Sequence, residues 1–114
     1  MQLSVRPLAC LLVTAAATLS VSLPARALDA EAAQELAKKS NCMKCHSITA
    51  KKDGPSFKET AARLKGKPGA EEELYKHLTT NPKVKIDGQE EEHPNLKTKN
   101  EAEIRNVVQW ILAQ

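Results

Sequence analysis

Five consecutive residues, Cys42-Met43-Lys44-Cys45-His46, carry the strongest chemical signal in the sequence. Two thiols three positions apart can reach the two vinyl groups of a porphyrin and form thioethers, and the next residue's imidazole then falls beneath the iron as its proximal ligand. Competing chemistries are weaker. A thioredoxin-like dithiol wants a βαβ setting, which the sequence does not offer. Zinc would need a fourth ligand and normally a second Cys/His pair. A disulfide between Cys42 and Cys45 needs only an oxidising compartment. The pattern points to one haem c, covalently held through Cys42 and Cys45, with His46 on its iron.

The N-terminus indicates where that chemistry takes place. Arg6, the uncharged apolar stretch from Leu8 to Leu23, Pro24 and then Ala25-Arg26-Ala27 follow the order of a secretory signal with a small-x-small cleavage site. The expectation is a cleaved signal peptide over residues 1–27 and one periplasmic domain over 28–114. A retained anchor would want roughly 20 apolar residues and a stop-transfer charge cluster. Cys10 lies inside the apolar run, in a poor lipobox, and leaves with the signal. Removing 1–27 lowers the net charge from +3 to +1. Neither nucleic acid as a partner nor membrane association after cleavage is expected.

Four helices can be read in the remainder. Asp29 caps the first, with Ala30, Ala33, Leu36 and Ala37 on one side and an end near Asn41. Ser56-x-x-Glu59 forms a capping box for the second, which closes at Gly66. The third follows Gly69, carries Glu71, Glu72 and Glu73 in its first turn where the helix dipole favours them, and stops at Pro82. The fourth has Asn100-x-x-Glu103 as a second capping box. Its apolar positions Ile104, Val107, Val108, Ile111 and Leu112 follow the helical period. No strand-like alternation of useful length is evident, so the fold class is all-α. Residues 46–55 and 82–99 read as loops, and loops this long in a small domain are usually functional or disordered.

On these residues the chain resembles the class I c-type cytochromes, the small bacterial monohaem proteins. Besides the haem motif, Gly54-Pro55-Ser56-Phe57 is similar to the family's G-P-x-[FY] segment. Lys65 to Glu71 resembles its loop into the third helix, and Asn106 to Leu112 with Trp110 resembles its closing helix. The resemblance implies a cytochrome c fold, about four helices around one covalent haem. It implies that the Pro55 carbonyl accepts the Nδ1–H of His46 and so orients it. The haem would also complete a core that has only Phe57, Tyr75 and Trp110 as aromatic residues.

The distal ligand departs from the family pattern, which uses methionine. Only Met1 and Met43 exist; the first leaves with the signal and the second lies between the two thioether cysteines. His93, in His93-Pro94-Asn95, takes the place of the family's Met-Pro segment and is the expected sixth ligand. An open site, Asn95, Lys97 and His77 are the alternatives. From related cytochromes, His77 is expected to hydrogen-bond a haem propionate. Lys38, Lys39, Lys44, Lys51 and Lys52 surround the attachment segment and would steer acidic redox partners to the haem edge. The function these features imply is a monomeric, non-enzymatic periplasmic electron carrier with a bis-histidine haem. The alternatives are a diatomic-gas binder with a detachable distal ligand, or the haem subunit of a redox enzyme.

Overall fold

The computed structural model describes residues 27–114. Residues 1–26, and with them Cys10 and nearly all of the expected signal, lie outside the described residues. The Asp29 side chain accepts from the Ala32 N–H at 3.0 Å, which satisfies one of the unpaired donors of a helix start. Helix α1 then runs over Ala30–Lys39 and is capped by Ser40, slightly short of the expected end. Its fully buried positions are Ala33 and Ala37, one turn apart and small, so another helix can approach closely.

That partner is α5, Glu101–Leu112. Ile104, Val107, Val108 and Ile111 lie on one stripe and are at most 3% exposed. Burying each such side chain stabilises the fold by about 1.5–3 kcal/mol. Asn106 fastens the seam at its far end. Its Oδ1 accepts from the Asp29 N–H at 2.9 Å, and its Nδ2 donates to the Asp29 carbonyl at 2.7 Å.

Between these helices the chain forms α2 over Cys42–Cys45, α3 over Phe57–Leu64 and α4 over Ala70–Thr79. The described residues thus contain five helices rather than four. The extra one, α2, is a single turn, too short to show a hydrophobic period. Asn41 turns the chain into it at φ 63°, a left-handed conformation that asparagine tolerates better than most residues. The Ser56 capping box of α3 has both of its bonds: Ser56 Oγ accepts from the Glu59 N–H at 3.1 Å, and Glu59 accepts from the Ser56 N–H at 2.7 Å. Gly69, at φ 76°, leads into α4. That helix ends at Thr79, and Asn81, at φ 48°, has already turned the chain before Pro82.

Two sequence expectations are corrected here. The 82–99 stretch is not wholly a loop: β1 (Lys83–Ile86) and β2 (Gln89–Glu92) form an antiparallel hairpin. Asp87 and Gly88 connect them, both at positive φ, the backbone of a type I′ turn. The second capping box is only half made. Asn100 Oδ1 accepts from the N–H groups of Ala102 and Glu103. The Glu103 carboxylate, however, accepts from the Thr98 hydroxyl, and the Asn100 N–H donates to Thr98 Oγ1. Thr98 competes successfully for both groups.

Phe57 and Leu64 of α3, Leu74 and Leu78 of α4, and the inner stripe of α5 form one buried cluster with Leu96 and Trp110. Among the described residues no helix is long and apolar enough to cross a membrane.

Candidate haem site

A cavity of about 410 Å³ opens between α3, α4, α5 and the hairpin, a volume in the range of cofactor pockets. Leu64, Leu74, Leu78, Val107 and Ile111 form its apolar walls. The hairpin adds Val84 and Ile86, its two half-buried side chains. Cys42 and Cys45 lie on the lining and are not joined in a disulfide. Burial raises the Cys42 pKa above its ordinary 9.0; a backbone hydrogen bond opposes this and the neighbouring Cys45 adds to it.

His46 follows α2 and is held from three sides. Its Nδ1 lies 2.7 Å from the carbonyl oxygen of Pro55. A carbonyl can only accept, so Nδ1 carries the proton and Nε2 is left with its lone pair. Phe57 stacks against the ring at a centroid distance of 5.3 Å and an interplanar angle of 19°. Gly54 passes so close that a Cβ there would stand 2.8 Å from Nδ1, and closer still to Cε1. The loop that brings Gly54 and Pro55 back to His46 is tied to α2 twice. The Gly54 N–H donates to the Cys45 carbonyl at 2.8 Å, and Lys52 Nζ donates to the Met43 carbonyl at 2.7 Å.

His93 stands across the cavity, its ring centroid 6.0 Å from that of His46. Its backbone is pinned on both sides: the N–H donates to the Pro82 carbonyl at 2.8 Å, and the carbonyl accepts from Asn81 Nδ2 at 3.1 Å. Asn81 is in turn locked to Asn95. The Asn81 N–H donates to Asn95 Oδ1, and Asn95 Nδ2 donates to Asn81 Oδ1, both at 2.8 Å. Burial, followed by the nearby His77 and His46, lowers the His93 pKa to about 4. The imidazole is therefore neutral at pH 7, the form that binds metals. Its Nδ1 is buried with no hydrogen-bond partner.

His77 of α4 also lines the cavity, with its ring against that of His93 at 4.3 Å. Burial, with His46 and Arg63 adding to it, lowers its pKa; Glu73 acts weakly in the other direction.

These residues fit an iron porphyrin. Two metal–imidazole bonds of about 2 Å each, plus the distance from each ring nitrogen to its ring centre, come to about 6 Å. The ring centroids of His46 and His93 are 6.0 Å apart, which leaves room for a metal ion between them. The thiols lie beside the proximal imidazole, and the walls are apolar enough for a macrocycle. Of the alternative distal groups, Asn95 has its amide engaged with Asn81 and is absent from the cavity lining, as is Lys97. Lys38, Lys39, Lys44, Lys51 and Lys52 are all exposed.

Sequence reasoning missed three contributors. The Asn81–Asn95 pair left no sequence signal beyond two isolated asparagines. The Arg63–Glu73 ion pair, 2.9 Å long and about half exposed, lines the cavity between α3 and α4; a ten-residue separation does not advertise it. The hairpin wall was detectable from Asp87-Gly88, a dipeptide that favours type I′ turns.

Comparison with known proteins identifies the family. The profile of the family described as Cytochrome c matches residues 30–114. Cytochrome c-551 of Stutzerimonas stutzeri is 38% identical over 90 residues, which cover 79% of this chain and 81% of that protein. Cytochrome c-551 of Pseudomonas aeruginosa is 34% identical over 85 residues, covering 75% and 79%. Among solved structures, the class 1 cytochrome MtoD of Sideroxydans lithotrophicus ES-1 superposes with a TM-score of 0.73 at 46% identity, over 76% of this chain and 97% of that one. The family binds one haem c through a C-x-x-C-H sequence, and here Cys42 and Cys45 supply its two thioethers. The chain belongs to the cytochrome c family, among its small class I members.

Proposed function

We propose that this protein is a periplasmic, monomeric electron carrier whose haem iron is ligated by His46 and His93. The family assignment supports electron transport in general. The observation that carries the finer reading is the pair of imidazoles facing each other across the cavity at 6.0 Å. When bound, the haem supplies an Fe(III)/Fe(II) couple that needs no substrate contact. The chain's own residues bring two imidazoles to the same cavity and line it with leucine, valine and isoleucine side chains. They also keep the ligand set constant between oxidation states, which keeps reorganisation small.

Pro55 fixes the tautomer of His46 and raises its basicity. His77 is given the propionate contact expected from the family, using the one N–H of its neutral imidazole. Exchanging a thioether for an imidazole removes a ligand that favours Fe(II), so the potential lies below that of His/Met relatives. Export through cleavage of residues 1–27 places the carrier in the periplasm, where the exposed lysines meet acidic redox partners briefly.

Optical and EPR spectra of the holoprotein test the ligand set. The expected result is a low-spin haem in both oxidation states, without an Fe–Met charge-transfer band. His93→Ala should convert it to a high-spin form. A parent protein that is high-spin when reduced and takes up carbon monoxide rapidly would instead favour gas binding.

A further inference from the structure

The two facing imidazoles are supported unequally. A metal-bound histidine uses its second ring nitrogen as a hydrogen-bond donor, and the partner it finds fixes the ring and tunes its donor strength. His46 has that partner in the Pro55 carbonyl at 2.7 Å. His93 has no comparable bond: its Nδ1 is buried without a well-formed hydrogen bond, and only the backbone of its neighbour Pro94 acts on the ring. A buried N–H left without an acceptor is costly, so an acceptor beside the ring is favoured.

A polar side chain stands against the His93 ring. His77, in the last turn of α4, has its ring centroid 4.3 Å away, with the planes inclined by 55°. At that centroid separation the two rings are neighbours, and rotation about χ2 of either residue is the motion that would bring a nitrogen of each together. Such a rotation is inexpensive, because the terminal torsion of histidine is broad. A neutral imidazole has one acceptor nitrogen and one donor N–H. It can therefore take the proton of His93 and keep its own N–H for a propionate.

We infer that His77 is the positioning residue of the distal ligand, accepting a hydrogen bond from His93 Nδ1–H as Pro55 does from His46 on the opposite side. The inference rests on His93 being the sixth ligand. It makes the distal support a side chain on α4 and the proximal support a peptide carbonyl, so only the distal acceptor can be removed by replacing its own side chain.

The test compares holoprotein variants His77→Gln, which keeps an acceptor oxygen, and His77→Leu, which keeps bulk alone. Losing a partner of this kind typically weakens a metal–ligand contact 10–100-fold. The His77→Leu ferric protein should therefore bind cyanide, in competition with His93, about 10- to 100-fold more tightly than the parent, with altered low-spin g values. The His77→Gln protein should stay within about threefold of the parent. Equal behaviour of the two variants, or no change in His77→Leu, overturns the inference. His93→Ala distinguishes the two levels: if it leaves the parent spectrum intact, the ligand assignment has failed and the inference falls with it. If it changes the spectrum while His77→Leu does not, only the inference falls. Should His77→Leu fail to mature, proton NMR of the reduced parent decides. A slowly exchanging His93 Nδ1–H with a nuclear Overhauser contact to the His77 ring supports the bond, and a rapidly exchanging one without that contact refutes it.

Discussion

The ring of His46 lies over Gly54 so closely that no side chain fits between them: a Cβ would come within 2.8 Å of Nδ1 and 3.0 Å of Nε2. Gly54→Ala must therefore displace the imidazole or the loop, and with it the 2.7 Å bond to Pro55. Overpacking of this kind costs about 1–3 kcal/mol. The expected outcome is a lower melting temperature together with a changed Soret spectrum. Gly88→Ala is the control. Its Cβ meets nothing within 4 Å, although φ is 80°. It should cost about 1 kcal/mol from backbone strain and leave the spectrum unchanged.

The Asn81–Asn95 pair should determine how firmly the His93 segment is closed. Asn95→Ala removes two hydrogen bonds of 2.8 Å, each worth about 0.5–1.5 kcal/mol. Amide exchange in residues 83–93 should quicken, while that of α5 stays at the global rate. A double-mutant cycle with Asn81→Ala should give a coupling energy of about 0.5–3 kcal/mol. Additive effects would mean that the two side chains act separately.

Glu59 links the cap of α3 to pH. Its carboxylate is held below its ordinary 4.5, first by the backbone N–H of Ser56 and then by the Ser56 side chain, with slight desolvation opposing and Lys51 assisting. A depressed carboxyl pKa gives stability that is complete above the unfolded value and lost as pH falls through the folded one. Between about pH 5 and pH 3 the parent should lose melting temperature more steeply than Glu59→Gln, whose amide oxygen can still cap Ser56. Parallel curves would contradict this.

Lys44 and Lys51 are exposed beside the attachment segment. Reversing both to glutamate should slow electron exchange with a carboxylate-terminated electrode by about tenfold at low salt, and the difference should shrink as the Debye length falls below about 10 Å. An ammonium-terminated electrode should show the opposite order. Lys52 makes a poorer probe, because its ammonium also donates to the Met43 carbonyl and its loss would loosen the loop.

Much of this arrangement was legible locally. The stripe of Ile104, Val107, Val108 and Ile111 repeats over enough turns for helix α5 to declare itself, and Ser56 and Glu59 mark the start of α3 by a three-residue relation. The attachment motif and Gly54-Pro55 are contiguous, so the group around His46 could be named from sequence. What was illegible is non-local or polar. The hairpin has only Val84 and Ile86 to bury, and β2 is Gln-Glu-Glu-Glu, a run that reads as a solvated loop. Its register follows from the Asp87-Gly88 turn rather than from a hydrophobic pattern. Nor can a sequence show that His77 on one element meets His93 on another, since their contact depends on where Asn81 reverses the chain.

Trp110 is the chain's one tryptophan. It is 3% exposed and packs edge-on against Phe57 at 5.2 Å, and Phe57 in turn stacks on His46. The indole thus sits two ring contacts from the proximal imidazole. Its fluorescence should be extinguished by energy transfer once the porphyrin is attached, and should return only when α3 and α5 separate. The fold therefore carries a built-in optical gauge of maturation and unfolding, readable without any added label.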